Sequence, residues 1–175
     1  MRRSISRVPQ RNRISDVVLR GHPRRRWTVE ITKALKEDHK ELKSMLDTIN
    51  SSDDATEIRE TFETFATLLG KHAKAEEKVV YDALIATGDD ETEVDAHEGY
   101  TEHMLADTLL KKLKAGTDPL SAEWRAEAQV MQEILEHHIK EEEDTIFDDV
   151  KDNFESEERE EMGAAFEKLK EEVAV

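Results

Sequence analysis

The stretches HAKAEEKVVYDAL (residues 72–84) and HIKEEEDTIFDDV (residues 138–150) are one phrase written twice, 66 positions apart. Each opens on His, places Glu four residues later and puts an aromatic residue in the tenth place. On a helix, positions four apart lie about 40° from each other and one turn along. Both side chains of each pair can therefore reach a single point. A carboxylate on an apolar stripe is costly unless it is paired or bound to a cation. Two such pairs in matching register thus constrain the chain to bring two helices together over a shared polar centre.

The intervening sequence supplies more helices. Ile31, Leu35, Leu42, Leu46 and Ile49 recur at helical spacing and predict a first helix over 29–49. Ser51, Ser52, Asp53 and Asp54 offer caps for a second, running to about Thr87 and stopped by Gly88. A third is expected from Asp90 to Ala115, ended by Gly116. Asp118-Pro119 reads as a cap with proline in the first turn, opening a fourth helix to about Val150. Ser156-Glu157-Glu158 opens a short fifth helix near 157–173, with Met162, Phe166, Leu169 and Val173 as its apolar stripe. Four long amphipathic segments joined by short polar turns predict an all-α, up-down-up-down four-helix bundle with a C-terminal helix appended. The domain is expected over residues 27–175.

Each bundle helix sends one imidazole inward. His39 is in phase with Leu35, Leu42 and Leu46, His72 with Phe65, Leu68, Leu69 and Val79. His103 shares a face with Ala106 and Leu110, and His138 with Met131, Ile134 and Leu135. Together with Glu76 and Glu142 they make four nitrogen donors and two carboxylates. That is too many for one tetrahedral zinc and suits two first-row metal ions bridged by the carboxylates. Two octahedral ions would still lack ligands, leaving room for a bridging oxo or hydroxo group and for open positions. Open positions on a redox metal imply dioxygen, peroxide or nitric oxide chemistry. The chain has no Cys, so disulfides and thiolate ligands are excluded and any metal must rest on His and carboxylate.

Charge divides the chain. Residues 1–28 hold nine Arg and one acid, Asp16, whereas the other 147 residues hold 17 Lys and Arg against 41 Asp and Glu. The acidic body would repel phosphates, which argues against nucleic acid or an anionic membrane as its partner. Residues 1–26 are expected to form a disordered basic arm able to contact nucleic acid, membrane or protein, and His22 within it has no partner nearby in sequence. No apolar run approaches the ~18 residues of a membrane span. A cytoplasmic location is expected.

The phrases EDHKELKSML, HAKAEEKVVY, TEHMLADTLL and HIKEEEDTIF resemble the hemerythrin-like, or HHE cation-binding, family over about Ile31 to Glu171. The tail SEEREEMGAAFEKLK is similar to the segment after the fourth helix in that family. The resemblance implies a non-haem di-iron centre with His39, His72, His103 and His138 as terminal ligands and Glu76 and Glu142 as bridges. It implies binding or sensing of dioxygen or a related small molecule, and the lack of an obvious acid/base pair outside the six donors leans the reading to binding over a dedicated enzyme. The alternative it allows is an iron, peroxide or nitric oxide stress protein, with catalase-like or iron-centre repair activity at the same site and an unidentified redox partner. The oxygen-carrying members have His-x-x-x-His on the third helix and His-x-x-x-x-Asp on the fourth. Here His97 and His103 are six apart, position 107 is Asp, and Glu142 lies four residues after His138 but five after His137. His97, His137 and Asp107 therefore stand as candidates for an extra ligand or an outer contact.

Overall fold

The computed structural model describes residues 29–174. The arm over residues 1–26, with His22, lies outside them. Five helices make up the described chain, and no strand occurs among the described residues. Helix α1 is Ile31–Ser51. Helix α2 begins as Ala55–Glu76, passes through a π-helical turn at Glu77–Tyr81 and ends as Asp82–Ile85. Helix α3 is Asp90–Ala115. Helix α4 begins as Ala122–Glu141, has its own π turn at Glu142–Ile146 and ends as Phe147–Asn153. Helix α5 is Ser156–Glu172. None of the described helices is long and apolar enough to cross a membrane.

Local chemistry sets the ends. Asp54 caps α2 by accepting from the backbone of Thr56 and Glu57, and Asp89 caps α3 through Thr92. Gly88 precedes that cap with φ of 73°, a left-handed conformation natural to glycine. Helix α4 starts later than the sequence predicts. Asp118 instead closes a tight turn, its carboxylate accepting from the Leu120 N–H and its carbonyl from the Ser121 N–H. Pro119 fits the second place of such a turn, and Ser121 takes over as the cap by accepting from the Trp124 N–H. At α5, Glu155 rather than Ser156 is the capping residue, and its N–H donates to Glu158. With 17 residues α5 has the length expected of it, shifted by one position.

The apolar interior comes in two pieces. One gathers Leu42, Leu46, Phe65, Leu69, Leu110, Trp124, Met131 and Leu135. The other gathers Leu35, Val80, Tyr81, Leu84, Ala96, Phe147, Met162 and Phe166. On each of α1 to α4 a histidine falls at the boundary between them: His39 separates Leu35 from Leu42, and His138 separates Leu135 from Ile146. The polar layer is thus floored and roofed by hydrocarbon. Helix α5 packs across α1 and α2, where Phe166 and Met162 join the second cluster.

Candidate metal centre

Six buried polar side chains meet in that layer: His39, His72, Glu76, His103, His138 and Glu142. They form two triads, His39–His72–Glu142 and Glu76–His103–His138, whose donor atoms all lie within 4.8 Å of one another in each triad. Both carboxylates reach across. Glu76 Oε2 is 3.3 Å from the Nε2 of His72 and 3.3 Å from that of His103. Glu142 Oε2 is 3.0 Å from His39 Nε2 and 3.9 Å from His138 Nε2. Each glutamate therefore faces one imidazole of either pair.

The far side of every ring is braced. His39 Nδ1 lies 3.1 Å from Glu143, His72 Nδ1 3.1 Å from Asp38, His103 Nδ1 3.0 Å from Glu77, and His138 Nδ1 2.7 Å from Glu102. An ionised carboxylate can only accept, so the ring proton resides on Nδ1 and the Nε2 lone pair points inward. Four such lone pairs then confront two carboxylates. His103 Nε2 and His138 Nε2 stand only 3.2 Å apart. Both oxygens of Glu76 and of Glu142, and Nε2 of His39, have no hydrogen-bond partner among the described residues. Acceptors turned on acceptors in a dry layer repel each other unless a cation sits between them. This donor set, all nitrogen and oxygen with an outer carboxylate on each imidazole, fits a pair of divalent first-row metal ions.

Without metal, protons fill part of that role. Burial lowers His103, but Glu76 and Glu77 outweigh it and raise the ring to about 9. Burial likewise opposes charge on His72, which Glu76 and Asp38 nonetheless raise. His39 is lowered to about 4 by burial and by the neighbouring His72. Burial would raise both central carboxylates. The adjoining Glu142 carboxyl group and the imidazoles of His72 and His103 instead pull Glu76 well below its usual range, while the Glu76 charge adds to burial in pushing Glu142 well above.

The braces run in a cycle. Asp38 on α1 holds the ring on α2, Glu77 on α2 the ring on α3, Glu102 on α3 the ring on α4, and Glu143 on α4 the ring on α1. Glu77 and Glu143 belong to charge runs that read as solvated faces, yet each is only partly exposed and turned to a histidine. The signal available was an acid directly beside a central donor in all four helices: Asp38-His39, Glu76-Glu77, Glu102-His103 and Glu142-Glu143. Glu141, in the same run as Glu143, is exposed.

The π turns set the direction of the aromatic residue beyond each glutamate. On an α-helix, residues five apart lie roughly 140° from one another. The i→i+5 bonds from Asp82 N–H to Glu77 O and from Phe147 N–H to Glu142 O widen the turn. Tyr81 and Phe147 thereby return to the face of Glu76 and Glu142, each packed near a histidine.

The three remaining candidates lie elsewhere. His97 is 61% exposed and pairs loosely with Glu93, and Asp107 is exposed and pairs with Lys111. His137 is 60% exposed, with Nε2 3.5 Å from the Glu102 carboxylate that braces His138. It touches a brace and not the central donors.

Fold and donors together define a helical cation-binding domain built on histidine and glutamate. The family model for the hemerythrin HHE cation binding domain matches residues 30–150, and the chain belongs to that family. It is also similar to a DNA nickase of Nostoc sp. (strain PCC 7120 / SAG 25.82 / UTEX 2576), at 28% identity over 142 residues. That match covers 81% of this chain and 39% of the nickase, so the chain spans about two fifths of that relative's length. No solved structure matches the chain significantly.

Proposed function

We propose that the chain is a non-haem di-iron protein of up-down-up-down bundle topology that binds or senses dioxygen or a related small molecule. His39, His72, His103 and His138 would be the terminal ligands, with Glu76 and Glu142 shared between the two ions. The observation carrying this reading is the set of buried carboxylate oxygens without hydrogen-bond partners, ringed by four inward imidazoles. Bound there, iron would supply reversible one-electron chemistry toward a small oxygen- or nitrogen-oxide ligand. The chain's own part is to orient the imidazoles, Nε2 inward, through the four braces, and to keep bulk water out with the two hydrocarbon clusters. Iron per chain and the optical spectrum, compared for wild type and His138→Ala, test it. About two irons per chain, reduced in the variant, is the expected result; a wild type without metal after iron-replete expression refutes it.

The Nostoc relative favours a second reading, cleavage of a phosphodiester in DNA. Against it stands the acidic body, with 41 Asp and Glu against 17 Lys and Arg beyond residue 28. Conversion of supercoiled plasmid to the nicked form by the iron-loaded chain, abolished in Glu142→Gln, would establish this second activity.

A further inference from the structure

The two-fold repeat of the centre is broken in one place. Five residues after Glu142 comes Phe147, whose ring stacks on His39 with centroids 6.2 Å apart. Five residues after Glu76 comes Tyr81, whose ring lies 5.5 Å from His103. Four residues before His39 is Leu35, and four before His103 is Gly99. One half of the centre thus carries Phe with Leu, the other Tyr with Gly.

The two differences are one arrangement. A Cβ on Gly99 would fall 2.5 Å from Tyr81 Cζ and 2.6 Å from its hydroxyl oxygen, so the glycine is what makes room for the phenol. That hydroxyl is fully buried and has no hydrogen-bond partner among the described residues. A buried hydroxyl left unpaired is costly and rare in a native fold. Beside it lies a cavity of about 50 Å³ bordered by Tyr81, Gly99 and His138 and by five carboxylate residues, Asp95, Glu98, Glu102, Glu141 and Glu142. One water needs roughly 10–15 Å³ on this scale, so the space admits a diatomic or triatomic molecule. The opposite half is closed. Phe166 stands edge-on to His72 at 5.6 Å, Lys170 bonds Asp38 at 2.6 Å, and Leu35 and Phe147 are buried.

We propose that the small ligand is received at the His103–His138 half through this cavity, and that the Tyr81 hydroxyl donates a hydrogen bond to it. Tyr81 is then the specificity-determining residue, favouring a ligand that passes the surrounding carboxylates uncharged and presents a strongly accepting atom to the phenol. The inference rests on the di-iron reading and adds to it an inequivalence of the two metal positions. Leu35 and Phe147 offer no counterpart on the closed half.

Azide is the probe. The iron-loaded full chain is titrated with sodium azide, following the charge-transfer absorbance and the azide stretching frequency in light and heavy water. Tyr81→Phe should keep iron content and helicity, bind azide at least about tenfold more weakly, and lose the solvent-isotope shift of the stretch; that is the scale of one hydrogen bond to a charged acceptor. Gly99→Ala should slow azide uptake by crowding the phenol. Equal azide affinity and stretch in wild type and Tyr81→Phe would overturn the proposal. So would a visible phenolate-to-metal band in azide-free wild type that Tyr81→Phe removes, since the oxygen would then be a ligand. A wild type that loads no iron refutes the metal reading itself, whereas an iron-loaded wild type indifferent to Tyr81→Phe refutes the donor role alone.

Discussion

His138 Nδ1 stands 2.7 Å from Glu102, the closest of the four imidazole–carboxylate braces, and Glu102 is the residue directly before His103. One residue of α3 thus orients a donor on α4 while its neighbour faces the centre. Glu102→Gln keeps the shape but replaces the anion with a neutral amide. Metal affinity should fall about 10–100-fold, the usual cost of losing such an outer partner. Competition with a chelator measures it, and an affinity equal to wild type would show the brace to be dispensable.

Glu142→Gln should trade function against stability. The amide loses the negative charge that would be shared between two cations, so metal loading should collapse. In the metal-free chain, however, it removes a carboxyl group that burial and the Glu76 charge force to stay protonated, far from its ordinary range. The unfolding free energy of the metal-free variant should rise by about 1–3 kcal/mol, the cost of one buried unsatisfied group. Denaturant unfolding of both metal-free proteins checks this, and a less stable variant would contradict it.

The pH dependence should differ between the metal-free and loaded forms. His103 is raised to about 9 in the metal-free fold, above an ordinary 6.5. A raised folded pKa contributes stability that is complete below the unfolded value and lost as pH climbs through the folded one. The metal-free melting temperature should therefore decline from pH 6.5 to about 9. Loading requires a neutral Nε2, so metal affinity should rise over the same interval and protons should be released on binding. Melting curves of both forms, with proton release tracked by an indicator dye, test it; a flat metal-free profile would refute the assignment.

Gly163 is where α5 admits the chain leading into α1. A Cβ there would lie 2.1 Å from the Val29 carbonyl oxygen and 3.1 Å from the Ile31 nitrogen, both backbone atoms. Gly163→Ala should cost about 1–3 kcal/mol, as overpacking does, and each kcal/mol should lower the melting temperature by about 2–4 °C. Because Phe166 and Lys170 on the same helix cover His72 and Asp38, metal loaded into the centre should also escape faster to a chelator. Unchanged melting and release would show that the contact relaxes freely.

The sequence carries the helices and the inward histidines openly, because apolar spacing reports which way a side chain points. His39, His72, His103 and His138 are all buried in the structure, as their phase requires. Proline position was a poorer guide, since the turn at Asp118–Ser121 competes with helix for the same residues. The π turns at Glu77–Tyr81 and Glu142–Ile146 have no signature in a 3.6-residue period, so the register of Tyr81 and Phe147 was hidden. Glu77 and Glu143 were masked by their acidic surroundings. A run of charge says that a face meets water, and does not say which member of the run turns back.

The closed cycle of braces has a mechanical meaning. A slip of one residue in any single rod would misplace that rod's own imidazole and withdraw the prop from the next rod's ring in the same stroke. Two nitrogen donors would be spoiled by one error, and they would belong to different halves of the hoop for slips in α2 and α4. Faulty alignments are thereby penalised twice, so occupancy by metal doubles as an inspection of how all four rods are seated.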